Sequence, residues 1–453
     1  MSKSRFNFFF LSIFFFSLIL MNEFSLKLLF SDDGSLEKKT INLIRIFNLF
    51  QILFISMFLL IVSFNKFIRL NIIKYLNIII LFFNNIINII KKKDSNFFLI
   101  ICLLFFSMQI VSICVKNYKN TSYFDVIKSD DMDAWDFLKI TDDSSIYKNY
   151  KMLIYGPVYP KISKIIKTLI SDPFTLDKYS NERLVSFSIN LLNLISVLLI
   201  CYLISIIFSS RLKDQALFTY ILFICFLSNT LWAKYINISR VDIFFSTTVC
   251  LIIFIRIRGF IQRSEFLTFL SYFLGGLAYN IKFFYVIFLP GFLVFEILLK
   301  KKLTYYISCL IFFLLGFIIF GFPESLFYFE ERILLVNKIT SLEAGFTLES
   351  ISYWVKNFIY SFFPMIFIIL LISVFTNQKR AIFNIYDFAR FFIIIIFPLI
   401  YFSKKIWQLN EHYALPITAS SFIMISYYLT SSVKFKNFRN KVKKNINLEV
   451  LRY

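Results

Sequence analysis

The sequence predicts an all-α polytopic membrane protein with about 12 or 13 transmembrane helices and a long outward-facing first loop that contains short amphipathic helices. Three observations predict it. Hydrophobic residues make up 58% of the 453-residue chain and 63 residues are Phe, against about 45–50% apolar in soluble domains. The excess is gathered into runs of roughly 17–25 residues, each long enough to cross a hydrocarbon core about 30 Å thick. The net charge of +22 sits in short stretches between those runs, where cytoplasmic loops carry Lys and Arg. Topology therefore accounts for the charge, and nucleic acid is not an expected partner. Membrane lipids are.

Taken in order, apolar runs fall at 6–23, 46–64, 97–115, 187–208, 216–232, 243–255, 266–280, 283–299, 304–322, 357–375, 391–402 and 413–430. The first is followed by no small-residue cleavage site and reads as a span rather than a leader. A further run, 68–90, is interrupted by five Asn and either crosses or lies in the interface. The 391–402 run is short and preceded by Asp387 and Arg390. Cationic groups at Arg211/Lys213, Arg256/Arg258/Arg263, Lys300–Lys302, Lys379/Arg380 and in the tail from Lys434 mark one side of the membrane, the cytoplasm. The intervening loops then face outward, the longest being 116–186 and 323–356. This divides the chain into an N-terminal membrane extension (1–95), a transmembrane core (96–432) and a basic cytoplasmic tail (433–453). The six Cys all lie inside apolar runs with no CxxC pair, which fits small buried hydrophobes rather than disulfides or zinc.

Chemistry is expected in the outward loops. The 116–186 loop is the one acidic stretch in a basic chain, with Asp130, Asp131, Asp133 and Asp136 in a single cluster. On pattern alone it is either a solvated loop or the site of a general base on the outer face. The cluster also offers oxygen ligands, so a divalent cation stays open as a cofactor. Tyr155-Gly156-Pro157-Val158-Tyr159-Pro160 forms a rigid turn, and the lysine-striped stretch after it suits a surface helix. Arg240 and Asp242 open one span, and Lys282 lies between two others. Each of these cations fits either interfacial snorkelling or the binding of a phosphate. The only histidine, His412, follows Glu411 at the start of the last span. No phosphate loop or dinucleotide turn is present, so an activated substrate would arrive dissolved in the membrane.

In this order and spacing the elements from about 97 to 430 resemble the membrane-embedded GT-C glycosyltransferases, in particular the protein-mannosyltransferase-like and aminoarabinose-transferase-like members. The resemblance rests on D-x-x-x-aromatic (Asp133/Phe137, or Asp131/Trp135), G-P-x-Y-P (Gly156–Pro160), Arg183, R-x-D (Arg240/Asp242), Gly276 with Lys282, and H-Y-x-x-P (His412–Pro416). The family often has Asp-Glu where this chain has Asp133-Ala134, and the 1–95 extension has no counterpart in it. The resemblance implies a polyprenyl-phosphate-linked sugar donor and a lipid-linked glycan, polysaccharide or protein acceptor. Asp133 or Asp131 would be the general base and the transfer would invert the anomeric centre. Arg183, Arg240 and Lys282 would stabilise the departing phosphate, with Asp242, Tyr155, Tyr159, Glu411 and His412 around the substrate. It also implies the plasma (inner) membrane, with the active face extracytoplasmic. The rivals are a flippase or transporter of lipid-linked saccharides, which calls for ionisable groups along its spans, and a surface-polysaccharide polymerase.

Overall fold

The computed structural model describes residues 96–119, 156–166, 168–169, 178–299, 301–322, 365–375, 385–403 and 410–431, with isolated positions between 324 and 362. Among these residues the fold is helical and contains no strand. The helices are α1 (Asn96–Lys119), α2 (Val158–Ile166), α3 (Lys178–Phe208), α4 (Leu212–Ser228), α5 (Thr230–Ile236), α6 (Asp242–Gln262), α7 (Glu265–Ile281), α8 (Leu289–Leu298), α9 (Leu303–Gly321), α10 (Met365–Phe375), α11 (Ile385–Ser403) and α12 (Ala414–Ser431). Two 3-10 turns, Phe283–Ile287 and Asn410–Tyr413, precede α8 and α12.

Among the described residues three helical stretches are long and apolar enough to cross a membrane: Arg183–Phe208, Asp242–Gln262 and Leu303–Gly321. On α9 the apolar residues Leu303, Ile307, Leu310, Leu314 and Ile318 are all exposed. Their spacing puts them on one stripe of the helix. A contiguous apolar stripe turned outward is what a lipid-facing helix presents and what a water-facing one avoids. Several buried hydroxyls on α6 and α12 bond back to their own helix: Ser246 donates to the Asp242 carbonyl at 2.6 Å and Ser420 to the Pro416 carbonyl at 2.6 Å, which lets an apolar helix bury them.

Several boundaries differ from the sequence expectation, each for a local reason. The 216–232 run is not one helix. Asn229 ends α4 and its side chain accepts from the backbone N–H of Leu231 and Trp232, capping α5. The 243–255 run does not stop before Arg256. α6 continues to Gln262, where Arg263 turns left-handed (φ 53°) and Ser264 caps α7 by accepting from the Leu267 N–H. Arg256 is thus a buried helical residue, not a loop cation. The 283–299 run opens as a 3-10 turn because Lys282 is extended and Pro290 sits in the first turn of α8. The 391–402 run belongs to a longer helix, Ile385–Ser403, which takes in Asp387 and Arg390 as an i,i+3 pair. The runs at 6–23, 46–64 and 68–90, the extension 1–95, most of both long loops and the 433–453 tail lie outside the described residues.

Packing fixes the direction of each helix. α6 and α12 run the same way, since the Asp242 carboxylate faces His412 and the Phe254 ring faces Tyr427. α7 and α9 are also parallel: Phe269 stacks on Phe312 and Phe273 meets Phe320. Their backbones touch at Gly276, where a Cβ would fall 2.2 Å from the Phe317 nitrogen. The chain therefore leaves α7 at Lys282 and turns straight back through the 3-10 turn and α8. Arg240, Asp242, Lys282 and His412 collect at one end of the bundle, and the residues at 209–211, 263–264 and 301–302 at the other.

Candidate functional site

The first of those ends holds a buried charge cluster centred on Asp242. Asp242 is the first residue of α6, where its carboxylate complements the unsatisfied N–H groups of the helix start. It is 2% exposed and Lys282 is 1% exposed. The Lys282 ammonium donates to Asp242 Oδ1. Arg240 Nε lies 3.3 Å from Asp242 Oδ2, with 18% of its side chain exposed. His412 Nε2 lies 3.8 Å from Oδ1.

Aromatic rings line the cations. The Lys282 ammonium sits 4.9 Å from the Tyr413 ring centroid and 5.6 Å from that of Phe284. The His412 ring is 4.0 Å from Tyr413 and 5.9 Å from Tyr235. Ring faces carry negative charge density, so they offset part of the desolvation of Lys282.

Each member is held by a distinct element. Asn193 on α3 donates to the carbonyls of Ile238 (3.1 Å) and Arg240 (3.2 Å). The Ser239 hydroxyl is bonded to that of Ser186, and also donates to Asn190 Oδ1 at 3.2 Å. These bonds pin the segment that delivers Arg240. Lys282 is delivered by its extended backbone at the end of α7. Gly156 N–H donates to the Ile281 carbonyl at 3.1 Å, and a Cβ on Gly156 would fall 1.7 Å from the Asn280 carbonyl oxygen. Only glycine lets the Gly-Pro-Val-Tyr-Pro turn lie against the backbone beside Lys282. Lys161 on α2 pairs with Glu324 at 2.9 Å, tying the turn to the chain beyond α9 as well.

The structure thus joins Arg240, Asp242, Lys282 and His412, which lie up to 172 residues apart in sequence (412 − 240). Tyr159 is fully buried in the core rather than open to a ligand. Arg183 is half-buried on α3, three residues before Ser186. Glu411 lies in the 3-10 turn beside His412. Asp131, Asp133 and Tyr155 lie outside the described residues, as does the acidic cluster considered for a divalent cation. Among the described residues no three His, Cys, Asp or Glu side chains gather as a metal site. Asp242 itself is surrounded by positive groups, an environment that repels a cation and attracts an anion.

Sequence reasoning missed Tyr235 and Phe284, whose signal is lost among so many aromatics, and named Tyr413 only as part of the H-Y-x-x-P element. It also missed a second buried cluster at the opposite end of α6. There Arg256 Nε and Nη2 each lie 2.7 Å from Glu296 Oε1. Tyr305 and Tyr272 donate to the Glu296 oxygens at 3.1 and 3.2 Å. This pair places buried ionisable groups at the other end of α6 as well. Glu296 stood out in the sequence as a lone carboxylate inside an apolar run, a signal of its own. Comparison with family models, curated proteins and solved structures finds no match.

Proposed function

We propose that the chain is a multi-pass glycosyltransferase of the plasma (inner) membrane. It moves a sugar from a polyprenyl-phosphate donor to an acceptor on the extracytoplasmic face. One observation carries the reading: Arg240, Asp242, Lys282 and His412, with the backbone-bonded turn at Gly156, converge on one buried spot at one end of the bundle. Among the described residues two fixed cations face one carboxylate here, a surplus of positive charge that increases when His412 is protonated. Arg240, the most exposed of the four, is the group an incoming phosphate meets first. Asp242 orients the cations and is not itself a phosphate ligand, because two anions would repel.

The chemistry follows. The acceptor hydroxyl or amine attacks the anomeric carbon as the carbon–oxygen bond to the phosphate breaks. The polyprenyl phosphate leaves with the electron pair, and the acceptor proton passes to Asp133 or Asp131. Attack opposite the leaving group inverts the centre. Preorganised cations aimed at the developing anion supply the largest share of such catalysis. The assignment of the base rests on the resemblance of the Asp131–Phe137 stretch to the GT-C acidic motif.

A second reading, a flippase of lipid-linked saccharides, draws on the ionisable groups buried at both ends of α6. Proteoliposomes charged with a panel of polyprenyl-monophosphate sugars separate the two. Transfer by the wild type, abolished in Asp133→Asn and kept in Asp142→Asn, is the expected result. Absence of transfer, with lipid-linked saccharide appearing in the opposite leaflet instead, would overturn the transferase in favour of the flippase.

A further inference from the structure

The segment that carries Lys282 is weakly built. After α7 it consists of one extended residue, a 3-10 turn and a ten-residue apolar helix. Short 3-10 pieces have poorer hydrogen bonds than an α-helix, so this stretch needs outside support to hold a side chain in place. It is fastened to α6 at both ends by buried ion pairs, Asp242–Lys282 and Arg256–Glu296. The two pairs have the same sequence separation, 40 residues. Fourteen residues therefore part the fastenings along α6 (256 − 242) and along the return segment (296 − 282).

The polarity is reversed between the two. α6 contributes the carboxylate at one end and the guanidinium at the other, while the return segment contributes the amine and then the carboxylate. An inverted return segment would set Lys282 against Arg256 and Glu296 against Asp242, like charge against like. The arrangement admits one direction of packing. Fourteen residues of helix span about 21 Å, so α6 acts as a rigid ruler between the two attachment points.

The distal pair is saturated. Glu296 accepts from Arg256, Tyr272 and Tyr305, its own carbonyl accepts from the Tyr306 hydroxyl at 3.2 Å, and the guanidinium lies 4.8 Å from the Phe295 ring centroid. Both carboxylate oxygens are thus engaged within the protein, Oε1 by Arg256 and Tyr272 and Oε2 by Tyr305.

We infer that Arg256 and Glu296 are positioning residues for the Asp242 site: they anchor the far end of the return segment and so fix the Lys282 ammonium against Asp242 from the opposite end of the bundle. Its consequence for catalysis rests on the transferase reading, but the mechanical coupling does not.

Two measurements on the full chain test it. The first is a thermal-unfolding cycle in detergent with wild type, Glu296→Gln, Lys282→Met and the double variant. Sites this far apart normally add. Coupling through the segment predicts a double variant whose Tm loss falls clearly short of the sum; additive losses would overturn the clamp. Should Glu296→Gln not fold, Tyr305→Phe, which removes one hydroxyl from Glu296, takes its place in the cycle. The second is donor kinetics in proteoliposomes. Glu296→Gln should raise the donor KM about tenfold, the factor expected for one misplaced charged hydrogen bond. The exchanged pair Arg256→Glu/Glu296→Arg should bring it back toward wild type. A lowered Tm with an unchanged donor KM would make the pair a staple only and overturn the positioning role. Coupling in the unfolding cycle without transfer by the wild type would keep the clamp and defeat the transferase reading.

Discussion

At the scale of single residues, the site is a question of which charge can stand alone. Among the described residues Asp242 faces Arg240, Lys282 and His412, and Lys282 pairs with the Asp242 carboxylate. Replacing Asp242 by Asn takes the carboxylate away from a buried ammonium and a neighbouring guanidinium, a loss of roughly 3–5 kcal/mol. Replacing Lys282 by Met leaves the carboxylate with Arg240 and His412, and a methionine of similar length fills the volume. Thermal unfolding in detergent should therefore rank Asp242→Asn as the more damaging; the reverse order would mean that the carboxylate, not the ammonium, depends on the pair. These residues were legible in the sequence because a charge at the edge of an apolar run stands out. Their mutual contact was not, since sequence gives no distance between positions 240, 282 and 412. Arg256 was misplaced for a related reason. The dense basic stretch from 256 to 263 reads as a loop, yet the first guanidinium has Glu296 as a partner 40 residues on and is drawn into the helix.

At the scale of elements, two backbone contacts hold the site in register. The Gly156 turn lies on the Asn280–Ile281 peptide, and α7 lies on α9 at Gly276. A Cβ at Gly276 would meet backbone rather than a movable side chain, so Gly276→Ala should force α7 and α9 apart at a cost of about 1–3 kcal/mol. It should weaken donor binding through Lys282, six residues on and just past the end of α7. A melting temperature within a degree of wild type would show that this contact does not hold the pair together. Sequence patterning located α7, α9 and α12 well, because each is bounded by charge or by a turn. It found the break at Lys282 but failed where a run of even hydropathy hides one, at Asn229 and inside the 283–299 run. There the interruption comes from a capping side chain and from a 3-10 turn ahead of Pro290, and hydropathy registers neither.

At the scale of the whole molecule, the proposed function requires the end bearing Asp242 to face outward and the residues at 209–211, 263–264 and 301–302 to face the cytoplasm. Cysteine accessibility in intact cells tests this, with the exposed native Cys114 first changed to Ser. Lys164→Cys on α2, beside the Gly156 turn, should react with an impermeant reagent added outside. Lys302→Cys should react only after the membrane is opened. Labelling of both from one side would break the alternation on which the topology depends. The most direct test of the central claim is the affinity of the purified chain for a polyprenyl monophosphate, read as ligand-induced thermal stabilisation beside a neutral polyprenol. The account predicts saturable stabilisation by the phosphate, none by the alcohol, and an affinity reduced roughly tenfold to a hundredfold in Arg240→Gln, the range for loss of a hydrogen bond to a charged group. Equal stabilisation by the alcohol, or an Arg240→Gln variant that binds the phosphate as well as wild type, would contradict it.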